Sequence, residues 1–191
     1  VLAQAREYRT QRNRKLATRL SEVTGLTVDL DDLSASVAGM LGRPHFARHL
    51  VAEGVVDSVG GAFEQYLGDD AAAYVPMERV PHERVIEALH DAGGVVSLAH
   101  PGRMDDLDVP AAVAALAEAG LDAVEVRYPY GPDPTITISE AAALADEHDL
   151  LQTGGSDCHG PDSEKFRIGE VRVPRADLQA LAEAAGVTDL G

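Results

Sequence analysis

Two short runs of this chain end on side chains able to bind a metal. Val95–Arg103, VVSLAHPGR, brings His100 to the end of an apolar stretch, and Gly154–Gly160, GGSDCHG, carries Asp157 and His159 one residue apart. A histidine that closes an apolar strand is costly to bury without a partner. In extended backbone, a spacing of two aims Asp157 and His159 to the same side while Cys158 points away. Imidazole and carboxylate donors at strand ends suit a divalent metal such as Mn, Zn or Fe. The bland alternatives are a solvated loop carrying a polar pair and a core histidine satisfied by the backbone. Arg103, three residues beyond His100, is either within reach of an anion held beside such a metal or an exposed arginine.

A second polar cluster lies in GRPHFARH. His45 and His49 are four apart and share a face on a helix, but Phe46 stands where a zincin needs its glutamate, so that reading is rejected. Arg43 at a helix N-terminus suits a phosphate, because the helix end adds N–H groups and its dipole. His49 is read as structural. Glu125, inside the apolar run AVEV, either supports the site or lines the sheet interior. His82, His90 and His148 sit in polar helical surroundings and are expected at the surface. No Walker loop, GxGxxG fingerprint, CxxC pair or GxSxG elbow occurs.

The elements that must position these residues fall into two blocks. The first reads as helices over Leu2–Thr24, with Leu16, Leu20 and Val23 as its apolar positions, then Asp29–Leu41, Pro44–Glu53 and Ser58–Leu67. No strand pattern interrupts it before Tyr74–Val75. From Pro81 helices and strands alternate. Helix Pro81–Ala92, with Val85, Ile86 and Leu89 on one side, leads to strand Val95–Ala99. Helix Asp108–Ala119 leads to strand Ala123–Val126. Helix Ser139–His148, capped by Ser139 with Glu140 in its first turn, leads to strand Leu150–Thr153. Glu170–Val173 is a further candidate strand before a last helix, Arg175–Ala185. Such alternation predicts parallel strands in an α/β sheet or barrel, with ligands at the carboxyl ends of the strands. His100, Asp157 and His159 all lie at that end.

Charge narrows the function classes. The chain has 32 acidic against 16 basic residues, and Lys15 and Lys165 are its only lysines. So negative a chain argues against general affinity for nucleic acid backbones. Lysine depletion with arginine retained favours adaptation to high salt. Residues 1–20 run against this trend, with six basic side chains against Glu7. They form either a helix face packed on acidic surface or a track for a polyanion. Apolar runs fall short of the roughly 18 residues that span a bilayer, and no signal-peptide pattern appears, so a cytoplasmic protein is expected. The lone Cys158 agrees with a reducing compartment.

Taken in order and spacing, GRPHFARHLVAEGVV, AFEQYL, YVP, GGVVSLAHPGR, GLDAVEV and TGGSDCHG closely resemble the polymerase and histidinol phosphatase (PHP) phosphoesterases. The closest branch holds the 3′,5′-nucleotide bisphosphate phosphatases and 5′ to 3′ exoribonucleases. The resemblance covers nearly all of the chain. It implies an α/β fold, the C-terminal part of a distorted (βα)7 barrel, with residues 1–80 a helical insertion subdomain and 81–191 the C-terminal βα units. It implies metal-dependent hydrolysis of phosphate esters, with two or three divalent transition metals (Mn, Zn or Fe) in the complete family site. His100, Asp157 and His159 match the family's later metal ligands, and no catalytic group beyond ligands is implied. Arg43, His45 and Arg103 match positions that hold substrate phosphate. The HxH segment that opens the family's site has no counterpart here. A preceding segment or a partner chain is therefore expected to complete the barrel. The implied partner is a small phosphorylated substrate, a nucleotide or short RNA, and no membrane. The alternatives are a catalytically inactive fragment or interaction module and a histidinol-phosphatase-like enzyme.

Overall fold

In the computed structural model the described residues are 1–35, 37, 39–105, 107–158 and 168–188. They fall into two units, Val1–Val80 and Pro81–Gly191.

The first unit is helical. Helix α1 spans Leu2–Thr24 and stops at Gly25, whose φ of 75° is the left-handed geometry that glycine adopts at little cost. Its buried face is Arg12, Asn13, Leu16, Ala17 and Leu20, positions three and four apart. Val23, expected on that face, is 45% exposed instead, because its turn lies past the packed part of the helix. A second helix, α2, covers only Leu30–Ala35, much shorter than the Asp29–Leu41 expected. Helix α3, Arg43–Ala52, starts at Gly42 with a proline in its first turn. Ser58 caps α4, Val59–Ala62, by accepting the Gly61 N–H at 3.0 Å, and the chain continues as a π-helical turn over Phe63–Leu67. Leu16, Leu20, Phe46, Leu50 and Leu67 are the largest fully buried side chains of this core. Tyr74–Val75 is not a strand.

The second unit is α/β. Helix α5, His82–Asp91, buries Ile86, whereas Leu89 is 42% exposed and does not join the apolar side expected of it. Strand β1 is the short Ser97–Leu98, β2 is Ala123–Arg127 and β3 is Leu151–Gly154. They pair parallel in the order β1-β2-β3, joined by α6, Val109–Glu118, and α7, Ile138–Glu147. These crossovers cover the apolar strand residues: Val109, Val113, Val124, Val126 and Leu144 share one core. Asp108 caps α6 through the Ala111 N–H. The cap of α7 is Thr137, not Ser139. Its hydroxyl accepts the Glu140 N–H while the Glu140 carboxylate accepts the Thr137 N–H, a complete capping box. Helix α8, Arg175–Ala184, is tied to β2 by an ion pair of 2.6 Å between Arg127 and Asp177. Glu170–Val173 is not a strand. Gly169 takes a φ of 83° just before it and Pro174 follows directly.

No helix of the described residues is long and apolar enough to cross a membrane.

Candidate active site

At the carboxyl ends of the three parallel strands the second unit gathers its polar residues. His100 stands two residues beyond β1, at the start of a 3₁₀ turn over Pro101–Arg103. Asp157 stands three residues beyond β3. Both have left-handed backbone, with φ of 30° at His100 and 50° at Asp157. This region is costly for residues other than glycine and marks functional positions when the surroundings enforce it. It also corrects the geometry expected of Asp157 and His159. The backbone at Asp157 is not extended, so strand alternation does not set which way its side chain points. His159 itself lies outside the described residues.

Strand β2 holds the two positions together. Glu125 Oε2 accepts the backbone N–H of His100 at 2.8 Å, which is how an inward carboxylate supports the site. Between Glu125 and Arg127 the register slips: Glu125 pairs with Thr153 and Arg127 with Gly154, so β2 uses one residue more than β3. Bulges of this kind re-aim side chains at sheet ends, and the next residue is Tyr128. Its hydroxyl donates to Asp157 Oδ2 at 2.9 Å, and its ring meets the His100 imidazole edge-on, centroids 5.2 Å apart. Arg103 is exposed, with Nη1 3.5 Å from the Tyr128 hydroxyl. Behind Tyr128 lies the Tyr130 ring, 4.9 Å away, whose hydroxyl accepts the Gly102 N–H at 3.1 Å. Burial pushes the Tyr130 phenol above its ordinary pKa, with smaller contributions in the same direction from Glu125 and Tyr128. Gly102 has no room for a side chain, since a Cβ would sit 2.5 Å from the Ile136 carbonyl oxygen. At Gly155 a Cβ would stand 3.2 Å from Glu125 Oε1, so a glycine there lets β3 run close to the carboxylate.

His100 and Asp157 supply donors of the type that borderline divalent metals take. Among the described residues no group of three His, Cys, Asp or Glu side chains is arranged around one point. The donor chemistry fits a divalent metal, and the described residues bring two of the three expected ligands to the same end of the sheet.

Arg43 and His45 lie in the first unit, on the opening turn of α3. The Gly42 N–H donates to His45 Nδ1 at 3.0 Å. The same nitrogen lies 3.3 Å from the Gly42 carbonyl oxygen. Arg43 bonds Asp69 at 3.0 Å and the Leu67 carbonyl at 3.1 Å. Beside this turn is a cavity of about 360 Å³ lined by Arg9, Arg12, Arg43 and Arg79 together with Gly42 and Asp69. Arg12 is only 8% exposed, and the Nε atoms of Arg9 and Arg12 are buried without a hydrogen-bond partner. Burial, then the charges of Arg43 and Arg9, lower the Arg12 pKa. Four guanidinium groups against one carboxylate leave a cavity whose chemistry asks for an anion. Sequence reasoning named Arg43 as a phosphate residue, placed Arg9 and Arg12 in a basic run read as either a packed helix face or a polyanion track, and missed Arg79. The signal that aims Arg12 inward is the stripe Leu20, Leu16, which stepped back by four reaches it.

No family model matches the chain. It is 36% identical over 165 residues, 84% of its length, to the 5′-3′ exoribonuclease Rnm of Escherichia coli. It is 31% identical over 172 residues to the 3′,5′-nucleoside bisphosphate phosphatase of Chromobacterium violaceum. Among solved structures it matches a candidate metal-dependent phosphoesterase from Bifidobacterium adolescentis with a TM-score of 0.77 and 30% identity, over 98% of this chain and 66% of that one. An amidohydrolase from Chromobacterium violaceum, solved with bound sulfate and no metal, also matches with a TM-score of 0.77, at 28% identity, over 96% of this chain and 65% of that one. The fold is therefore that of the phosphoesterase structures. The chain is a homologue of these proteins, in line with the resemblance that its motifs carry. It spans between 55 and 59% of the length of the two curated relatives just named.

Proposed function

We propose that the protein is a metal-dependent phosphoric ester hydrolase acting on small nucleotides or on RNA 5′ ends. The observation that carries this reading is the meeting of His100 and Asp157 on Tyr128, with Glu125 holding the His100 N–H, at the carboxyl ends of parallel strands. His100, Asp157 and His159 would hold the divalent metal, Mn, Zn or Fe. When bound, that metal supplies Lewis acidity toward the phosphoryl oxygen and lowers the pKa of water at the site. Two or three metals are the number read from the family resemblance. The chain's own residues bind and orient: Glu125 fixes the His100 turn, and Arg103 offers a guanidinium to substrate phosphate. In the first unit, Arg43 and His45 are the phosphate-holding residues of this reading, and the arginine-lined cavity beside them supports it. Its N–H donors and net positive charge match a phosphate dianion.

The same reading makes the three strands part of a distorted (βα)7 barrel, with residues 1–80 as a helical insertion. Purely parallel sheets are normally covered on both faces and continued at their edges. Preceding polypeptide or a partner chain would supply the remaining strands and ligands. The compartment in this reading is the cytoplasm.

Phosphate release from a nucleoside 3′,5′-bisphosphate with added Mn²⁺ is the test. Asp157→Ala and His159→Ala are each expected to lower it on the order of 100-fold or more. A protein that binds no transition metal and hydrolyses equally well after His159→Ala would sink the proposal. A second reading is an inactive binding module, and the same assay separates the two. Preference for histidinol phosphate over the bisphosphate would point to the third alternative.

A further inference from the structure

We infer that Tyr128 is a positioning residue for the metal-binding pair His100 and Asp157, acting through its hydroxyl. The inference rests on the metal site proposed above. Both ligand positions sit in loops with left-handed backbone, where no helix or strand ladder sets the direction of the side chain. What sets it must be a contact. Tyr128 touches both, donating its O–H to Asp157 Oδ2 at 2.9 Å and packing its ring edge-on against His100, with an interplanar angle of 61°.

The tyrosine is itself fixed. It is 3% exposed, follows the β2 bulge, and has the Tyr130 ring behind it. A rigid donor aimed at one carboxylate oxygen holds the rotamer of Asp157 and polarises it, as outer groups commonly do for metal-binding carboxylates. An ordinary core role would explain the buried ring and would be served equally by phenylalanine. The hydroxyl is what such a role leaves unexplained.

Tyr128→Phe removes that hydroxyl and keeps the ring, its volume and its packing on His100. The measurement is Mn²⁺ affinity of the 191-residue chain, followed by the electron paramagnetic resonance signal of free Mn²⁺, alongside thermal melts of each variant. Tyr128→Phe is expected to weaken Mn²⁺ binding about 10- to 100-fold with the cooperative melt retained. In an Asp157→Ala background the same change should add nothing, since the hydroxyl would have no acceptor oxygen left to orient. Equal Mn²⁺ affinity in Tyr128→Phe and the wild type would overturn the positioning role and leave the metal site standing. Additive losses in the double variant would overturn it too, as would loss of the cooperative melt, which would give the hydroxyl a folding role instead. A wild-type chain that binds no Mn²⁺ would remove the metal site and this inference together.

Discussion

Arg12 occupies a core position of α1 yet carries a charge that two neighbouring arginines repel. A bound anion would reverse that balance by giving the buried guanidinium a partner. Replacing it should therefore separate binding from folding. Arg12→Met is expected to weaken inorganic phosphate binding on the order of tenfold, measured by titration calorimetry, while the melting temperature stays level or rises. A variant that melts well below the wild type would show instead that the arginine serves the fold. The residue scale is also where legibility divides. His100 and Asp157 were readable because metal donors at the ends of apolar runs stand out against their surroundings. Tyr128 was not, because an aromatic residue closing a strand looks like any core residue until its hydroxyl is seen on Asp157. The extended geometry assigned to Asp157 failed because β3 ends at Gly154 and the backbone turns left-handed at Asp157, a conformation that Asp and His adopt more readily than most residues.

Among the elements, α7 shows how a start signal is misread. Ser139 is a good cap by type, but the pattern Thr137-x-x-Glu140 was present and sets the helix start two residues earlier. Thr137→Ala should cost about 1 kcal/mol of stability, read by denaturant unfolding. The Glu140 carboxyl is held below its ordinary pKa by the Thr137 N–H and then by the Thr137 hydroxyl. A depressed carboxyl stabilises the fold above its unfolded pKa and loses that contribution as pH falls through the folded value. Glu140→Gln should accordingly lower stability at neutral pH and change little in acid, which flattens the acid limb of the stability curve. Helices with strong stops were legible: Gly25 ended α1 where expected. Short strands were not, since β1 pairs over only Ser97–Leu98 and an apolar run of five does not reveal how much of itself is paired. Helix α2 ends at Ala35, and beyond it Val37 packs against the core and Leu41 is buried in it.

At the scale of the whole chain, charge is the dominant fact. A net charge of −16 over 191 residues repels itself in any compact state. We propose that the chain is adapted to high salt. Raising NaCl from about 0.1 M to about 1 M shortens the screening length from roughly 10 Å to roughly 3 Å and should raise the melting temperature. A flat or falling salt response would set the adaptation aside. The division of the chain was legible from periodicity, because the helical pattern changes to strand–helix alternation at Pro81. The arginine cavity was legible only in outline, as a basic run in residues 1–20 whose purpose depended on which side of α1 faced inward.

The left-handed backbone at His100 and Asp157 has a consequence for descent. Each position holds a conformation that glycine would adopt without the roughly 1 kcal/mol that other residues lose there. Glycine at either position would relieve that strain but give up the contact with Tyr128, so the strain is kept where the side chain is used. Homologues that keep histidine and aspartate at these positions are still using the site. A lineage in which either has become glycine has been released from the chemistry.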